Sequence, residues 1–326
     1  MTDTRGGALW ALAGFAFFAS HDAVIKALGE TYPTFQIAFF SVLFGFPLVM
    51  LMLVGDRTRD TLIPHHPGWV AARTLLGVLT GFCAFYAFTA LPLTEVYAII
   101  FAQPLLITAL SVPMLGERVG PRRWIAVAVG LVGVLIVIQP GASPLTLGHL
   151  AALTAAVAGA FVSVILRKIA AEERSAVLIL YPMLANLAVM GALMPFVYVP
   201  MGIGDLGLMA LLAVLGFAGM WGLLLAYRQA SASTVAPMQY SQIIWAVLFG
   251  LLFFEETPSL PTLLGTVVIV ASGLYIVLRE EGGGTTIRRP VTTGRTFRGD
   301  TALSLRVGDV LRMRGRGEAP LRSDPE

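Results

Sequence analysis

Residues Leu115–Val137 read LGERVGPRRWIAVAVGLVGVLIV, a turn holding four charges followed by an apolar run with none. An α-helix rises 1.5 Å per residue, so about 20 mostly apolar residues cross a bilayer. This stretch is one of ten such runs, each bounded by a short segment rich in Gly, Pro and charge. They cover Ala8–Leu28, Pro33–Val54, Trp69–Ala90, Thr94–Leu115, Arg123–Ile138, Leu147–Lys168, Ala176–Tyr198, Leu206–Ala230, Val235–Phe254 and Thr262–Leu278. The composition agrees, with 57% apolar and 13% charged residues against roughly 25% charged in a soluble domain. The expected fold is all-α and polytopic, with ten transmembrane helices and no soluble domain between them.

The first run, preceded by Arg5 and ending in small residues near Ala19 and Ser20, has the outline of a signal peptide. It is kept as a helix because removing it would leave a repeat incomplete. Cys83 is the sole cysteine, which excludes an intrachain disulfide and any cysteine-rich metal site.

Basic residues are retained on the cytoplasmic side of a membrane helix. With the N-terminus inside, the inner segments before residue 279 hold ten Lys or Arg, including Arg57, Arg122, Arg174 and Arg228, and the outer segments hold only Lys26. The bias predicts that both termini are cytoplasmic. Sliding the chain by about 140 residues lays Ala102-Gln103-Pro104 on Ser241-Gln242-Ile243, Glu117 on Glu256, Pro121 on Pro261 and Gly133 on Gly273. Each copy has five helices, an odd number, so the second enters from the opposite face. The reading is two inverted five-helix repeats, residues 1–140 and 141–281, the architecture of an alternating-access carrier.

The AVIK of Ala23–Lys26, Arg73 in AARTLLG, the Leu115–Val137 segment and its weaker echo at Phe254–Val277 resemble the EamA-type drug/metabolite transporter superfamily over residues 8–279. The resemblance implies ten helices in two inverted repeats, an inner-membrane location, and movement of a small solute such as an amino acid, riboflavin or S-adenosylmethionine. Two places depart from the family pattern: Ser20-His21-Asp22 stands where many relatives have a glycine-serine-asparagine cluster, and Glu255-Glu256-Thr257-Pro258 replaces a glycine-glutamate. Within this class the favoured function is uptake of a cofactor-like metabolite, with proton-coupled export of an amino acid or other metabolite as the second reading.

An ionisable side chain in the hydrocarbon costs about 2.5–3.5 kcal/mol on the insertion scale and so requires a reason. Asp22 and Lys26 are four residues apart on one helix face, and His21 lies about 100° round the helix. Either Lys26 snorkels outward and neutralises Asp22, or Asp22, Lys26 and His21 serve the solute or a coupling proton. Glu95, the third coupling candidate, has the default role of an acid at a helix N-terminus. Gln103 and Gln242 fall near the bilayer midplane, about 14 Å from Thr94 and about 11 Å from Val235. Pro104 removes a backbone hydrogen bond beside Gln103, tolerable at that depth only where protein or a water-filled cavity serves the freed group. Both glutamines are therefore substrate-binding candidates, as are Phe85, Tyr86, Trp221, Tyr240 and Trp245 for stacking against a ring. Tyr97 and Tyr227 are read as interfacial belt residues and Arg73 as snorkelling from the cytoplasmic end of its helix. Asn186 is expected to bond a neighbouring helix. Gly77 with Gly81, and Gly216 with Gly219 and Gly222, are expected to permit close helix approach.

The rival class is a membrane-embedded, lipid-modifying enzyme. It needs clustered acids or metal ligands, and none of His21, His65, His66 and His149 has a ligand-spaced partner within its own helix. No phosphate-binding glycine loop occurs either, so no catalytic residue, cofactor or metal is expected. The expected partners are a small-molecule solute and membrane lipid, with a homodimer left open. Residues 282–326 carry nine Arg and five acids; this basic tail is read as disordered and weakly drawn to anionic lipid. Without aromatic interleaving or a folded module it gives no ground for nucleic-acid binding.

Overall fold

The structure is a computed structural model that describes residues 4–54, 62–117, 119–141, 144–170 and 172–282. The tail from 283 onward, and with it the tail expectation, lies outside the described residues, as do Arg57 and Arg118. Among the described residues, twelve helices form the bundle. In chain order they are α1 (Thr4–Gly29), α2 (Thr34–Val54), α3 (Pro67–Ala90), α4 (Leu93–Ile100), α5 (Gln103–Leu115), α6 (Pro121–Ile138), α7 (Leu147–Ile169), α8 (Ser175–Val197), α9 (Ile203–Gln229), α10 (Ala232–Met238), α11 (Ser241–Phe253) and α12 (Leu260–Gly282). Joined end to end, α4 with α5 and α10 with α11 each make one span, so ten helices are long and apolar enough to cross a membrane.

Local chemistry sets the ends. Pro67 and Pro121 open α3 and α6, where a missing N–H costs nothing. Thr146 and His149 form a reciprocal cap on α7. Gly116 (φ 69°) and Gln139 (φ 48°) close α5 and α6 in the left-handed conformation. Large apolar side chains face outward, with Ile203 92% and Phe196 84% exposed. A soluble protein would bury such residues, and a bilayer accepts them.

Lipid is as apolar as leucine, so contact between helices comes from close packing and polar bonds. α1 lies on α9, α3 on α7 and α6 on α12. At the α1–α9 crossing a Cβ on Gly14 would meet the Gly219 carbonyl at 2.9 Å. At the α6–α12 crossing one on Gly133 would meet the Gly265 carbonyl at 2.9 Å. Gly219 and Gly222 thus behave as expected. Gly77 does not, because nothing lies within 4 Å of its absent Cβ. Its spacing from Gly81 matched a packing motif, but that face meets no neighbouring helix at Gly77.

The long-range polar bonds sort into two ends. At the end where α1 finishes, called the far end, Tyr32 Oη donates to Asp205 Oδ2 at 2.7 Å. The Gln36 amide there makes two 2.8 Å bonds to the Val199 backbone. The hydrogen bond to Asp205 favours the protonated phenol and holds the Tyr32 hydroxyl above its ordinary pKa. At the near end, where α1 begins, His66 Nε2 meets Glu172 Oε2 at 2.5 Å and Lys168 Nζ lies 4.2 Å from the Trp69 ring centroid. His66 is 41% exposed and held by this partner.

Candidate functional site

The fourth and ninth spans are both interrupted near mid-length. After α4, Ala102 N–H turns back to the Ile99 carbonyl at 3.1 Å. After α10, Gln239, Tyr240 and Gln242 bond in the same i to i−3 manner at 3.0–3.2 Å. Pro104 accounts for the first interruption, as expected. The second coincides with Pro237 at the end of α10, which the sequence reading passed over because that proline precedes its glutamine. The two interruptions touch, with Phe101 and Tyr240 meeting edge to face at 5.3 Å and 84°.

Gln103 begins α5 and is 7% exposed. Its amide lies against Gly159 of α7, where an added Cβ would come within 3.0 Å of Nε2. Its Nε2 donates to Ser163 Oγ at 3.4 Å, a long and weak bond. Gln242, in the first turn of α11, is 4% exposed, and its Nε2 is buried without a hydrogen-bond partner, as is Ser241 Oγ beside it. A buried polar atom without a partner costs about 1–3 kcal/mol. Such an atom beside a helix interruption is a candidate solute contact. The Tyr240 hydroxyl rests against Gly273 of α12, which has no room for a Cβ.

The first-helix cluster differs from its expected form. Asp22, fully buried, accepts from His21 Nδ1 at 3.0 Å and from the Tyr97 hydroxyl. Lys26 instead pairs with Glu256 Oε1 at 2.7 Å and donates to the Leu91 carbonyl at 2.7 Å. The i to i+4 pairing of Asp22 with Lys26 is therefore replaced by two separate contacts, because α4 and the α11–α12 turn supply better partners. Tyr97 is not an interfacial belt residue: it is 2% exposed and packs on Phe88 and Phe101. Tyr227 is half-buried and packs against a second apolar cluster. Arg73 is 2% exposed and donates to the Leu178 carbonyl at 2.7 Å, so a backbone oxygen of α8 holds it and it does not snorkel. Asn186 Oδ1, expected to bond a neighbour, is buried without a partner.

The aromatic candidates divide. Phe85 is buried and edges onto His21 at 5.9 Å. Tyr86 is half-buried and stacks on Phe82 at 6.4 Å. Trp245 is half-buried and stacks on Phe249 of its own helix at 5.9 Å. Trp221 is 43% exposed on the outer surface of α9, stacked on Phe217, and so lies apart from the buried set.

Glu95, in the first turn of α4, accepts from His149 Nε2 at 2.8 Å. The Thr146 N–H donates to His149 Nδ1 at 3.1 Å, which puts the imidazole proton on Nε2, facing Glu95. Among the described residues no group of three or more His, Cys, Asp or Glu side chains is arranged to hold a metal ion.

The sequence reading missed Tyr97, Phe101, Ser163 and Ser241. Phe101 had a signal: the offset that carries Gln103 to Gln242 also carries it to Tyr240, so an aromatic precedes both glutamines by two residues.

Known proteins resemble this chain along most of its length. The model of the EamA-like transporter family matches residues 5–139 and again 146–278. An S-adenosylmethionine uptake transporter of Rickettsia conorii is 26% identical over 83% of this chain and 92% of its own. A riboflavin transporter of Rhizobium johnstonii is 30% identical over 84% of this chain and 91% of its own. The pseudopaline exporter CntI of Pseudomonas aeruginosa is 27% identical over 85% and 98%. A solved crystal structure with 18% identity shares the fold at a TM-score of 0.56, covering 85% of this chain and 98% of that one. With ten apolar spans, two of them interrupted where they meet, and a family model matched twice along its length, this chain is a multi-pass membrane protein of the EamA-like transporter family.

Proposed function

We propose that the chain is a secondary carrier of the inner membrane, with both termini cytoplasmic, that takes up a small, polar, ring-bearing metabolite by alternating access. The observation that carries this reading is the meeting of two interrupted spans at Phe101 and Tyr240, with Gln103 and Gln242 immediately beyond. Carriers of this general design bind at the midplane, on helices whose backbone is locally released. Gln242 Nε2 and Ser241 Oγ, buried without a protein partner, offer a donor and a hydroxyl to a polar solute. Phe101, Tyr240 and Phe85 offer ring faces and edges. The solutes named for the Rickettsia and Rhizobium relatives, S-adenosylmethionine and riboflavin, both combine a flat ring with polar groups.

The inverted repeat accounts for the placement. The offset that lays Lys26 on Arg167 lays Asp22 on Ser163. Gln103 donates to Ser163, and α11, which carries Gln242, packs on α1, which carries Asp22. The two glutamines thus take equivalent places beside α7 and α1. Asp22, with His21 and Tyr97, breaks the equivalence and is the group suited to carry a coupling proton. Export by proton antiport is the second reading, favoured by that buried acid and by the exporter among the relatives.

Purified protein in liposomes, tested against vitamins, S-adenosylmethionine and amino acids, decides between the readings. Saturable uptake of one ring-bearing solute supports the first. Efflux driven by an imposed pH gradient, with an amino acid or peptide-like solute, supports the second.

A further inference from the structure

We propose that Lys26–Glu256 and Arg167–Glu117 are a matched pair of gate latches, one at each end of the solute path, that open in alternation. The proposal rests on the carrier reading above and identifies what must part at each end of the protein.

Lys26 lies in the last turn of α1, and Arg167 in the last turn of α7. Each reaches a glutamate just beyond an interrupted span: Glu256 after α11 for Lys26, at 2.7 Å, and Glu117 after α5 for Arg167, at 2.6 Å. Each pair therefore ties residues 1–140 to residues 141–281. Spans one and nine finish at the far end, whereas spans four and six finish at the near end. The two ties accordingly sit at opposite ends of the bundle.

The turns that present the glutamates are built alike. A residue in the left-handed conformation comes immediately before each, Gly116 at φ 69° and Glu255 at φ 54°. The backbone N–H of each glutamate then returns to the carbonyl six residues earlier, Glu117 to Ser111 at 3.4 Å and Glu256 to Gly250 at 2.9 Å. A non-glycine residue pays strain to hold a positive φ, and Glu255 holds it where its counterpart is glycine. The same carboxylate placement is thus produced twice, the second time with a residue poorly suited to the turn.

The environment fits parts that must separate. The side chains are 12% and 19% exposed at the far pair and 18% and 27% at the near pair. These pairs are shielded enough to attract, yet lie close enough to water for the separated charges to be solvated. The far latch grips more than its partner. Glu256 Oε2 also accepts from the Leu93 N–H at 3.1 Å, and Lys26 Nζ holds the Leu91 carbonyl. Opening it releases the first turn of α4, whose other end is the interruption at Phe101. Contact at the midplane and closure at the far end therefore share one eight-residue helix. Both latches are closed in this structure, the arrangement of an occluded intermediate.

The test is a pair of spin-label distances in the full chain carrying Cys83→Ser, which needs no knowledge of the solute. Labels at Glu30 and Thr257 report the far end, and labels at Arg122 and Lys168 the near end. Lys26→Gln is expected to lengthen the far distance alone, and Arg167→Gln the near distance alone. Restoring the far pair in reverse, Lys26→Glu with Glu256→Lys, is expected to return the short distance. Unchanged distances in both variants, or lengthening of both ends by either one, would overturn the proposal. If the parent protein moves no solute, the carrier reading fails while the distances still judge the latches.

Discussion

Replacing Tyr97 by Phe deletes a bond that holds the buried Asp22 carboxylate and leaves the ring packing on Phe88 and Phe101 in place. A buried acceptor deprived of a donor costs about 1–3 kcal/mol. Tyr97→Phe should therefore fold less stably while still exchanging solute, as thermal melting beside an exchange assay will read. Asp22→Asn is expected to go further: if the carboxylate carries the coupling proton, pH-driven accumulation disappears and exchange remains. Full accumulation by that variant would remove Asp22 from the coupling step. Gln242→Leu keeps the bulk and deletes the amide donor, so apparent solute affinity should fall about ten- to a hundredfold, equivalent to about 1–3 kcal/mol. Unchanged kinetics there would place the solute elsewhere. The sequence located Gln103 and Gln242 because depth follows from counting along a helix. It could not pair Tyr97 with Asp22, which are 75 residues apart and brought together only by the tertiary fold.

Helix contacts in lipid depend on how near two backbones come, and the glycines test this one at a time. Gly14→Ala places a Cβ 2.9 Å from the Gly219 carbonyl and 3.0 Å from the Leu223 nitrogen, both backbone atoms. α1 and α9 must then move apart, at a cost of about 1–3 kcal/mol. Gly77→Ala, with nothing within 4 Å, should instead stabilise by up to about 1 kcal/mol through helix propensity. Melting of both variants in detergent should give shifts of opposite sign. The spans themselves were legible because apolar length and charged turns are local properties. Their starts moved by a few residues, from Ala8 to Thr4 in the first and from Leu206 to Ile203 in the eighth, since polar flanks continue a helix beyond its apolar part. The second interruption was hidden because Pro237 lies five residues before Gln242, whereas Pro104 directly follows Gln103.

For the molecule as a whole, the basic-residue bias predicts that reporters fused after Arg122, Arg174 and Leu278 lie in the cytoplasm and those after Gly29 and Gly204 outside. A single reversed reporter would contradict the proposed orientation. The pairing of helix ends supports the same alternation: Lys26 with Glu256, Tyr32 with Asp205 and Glu95 with His149 belong to one end, and Arg167 with Glu117 and His66 with Glu172 to the other. This bundle is proposed to carry solute by exposing one site to the two sides in turn. Counterflow tests it most directly: liposomes holding the purified protein are loaded with unlabelled solute, diluted, and given a trace of the labelled compound outside. A carrier is expected to give a transient, saturable overshoot of label inside, abolished when Gln103 and Gln242 are both replaced by Leu. Label that only equilibrates, at a rate proportional to its concentration and without saturation, would identify a channel and contradict the account.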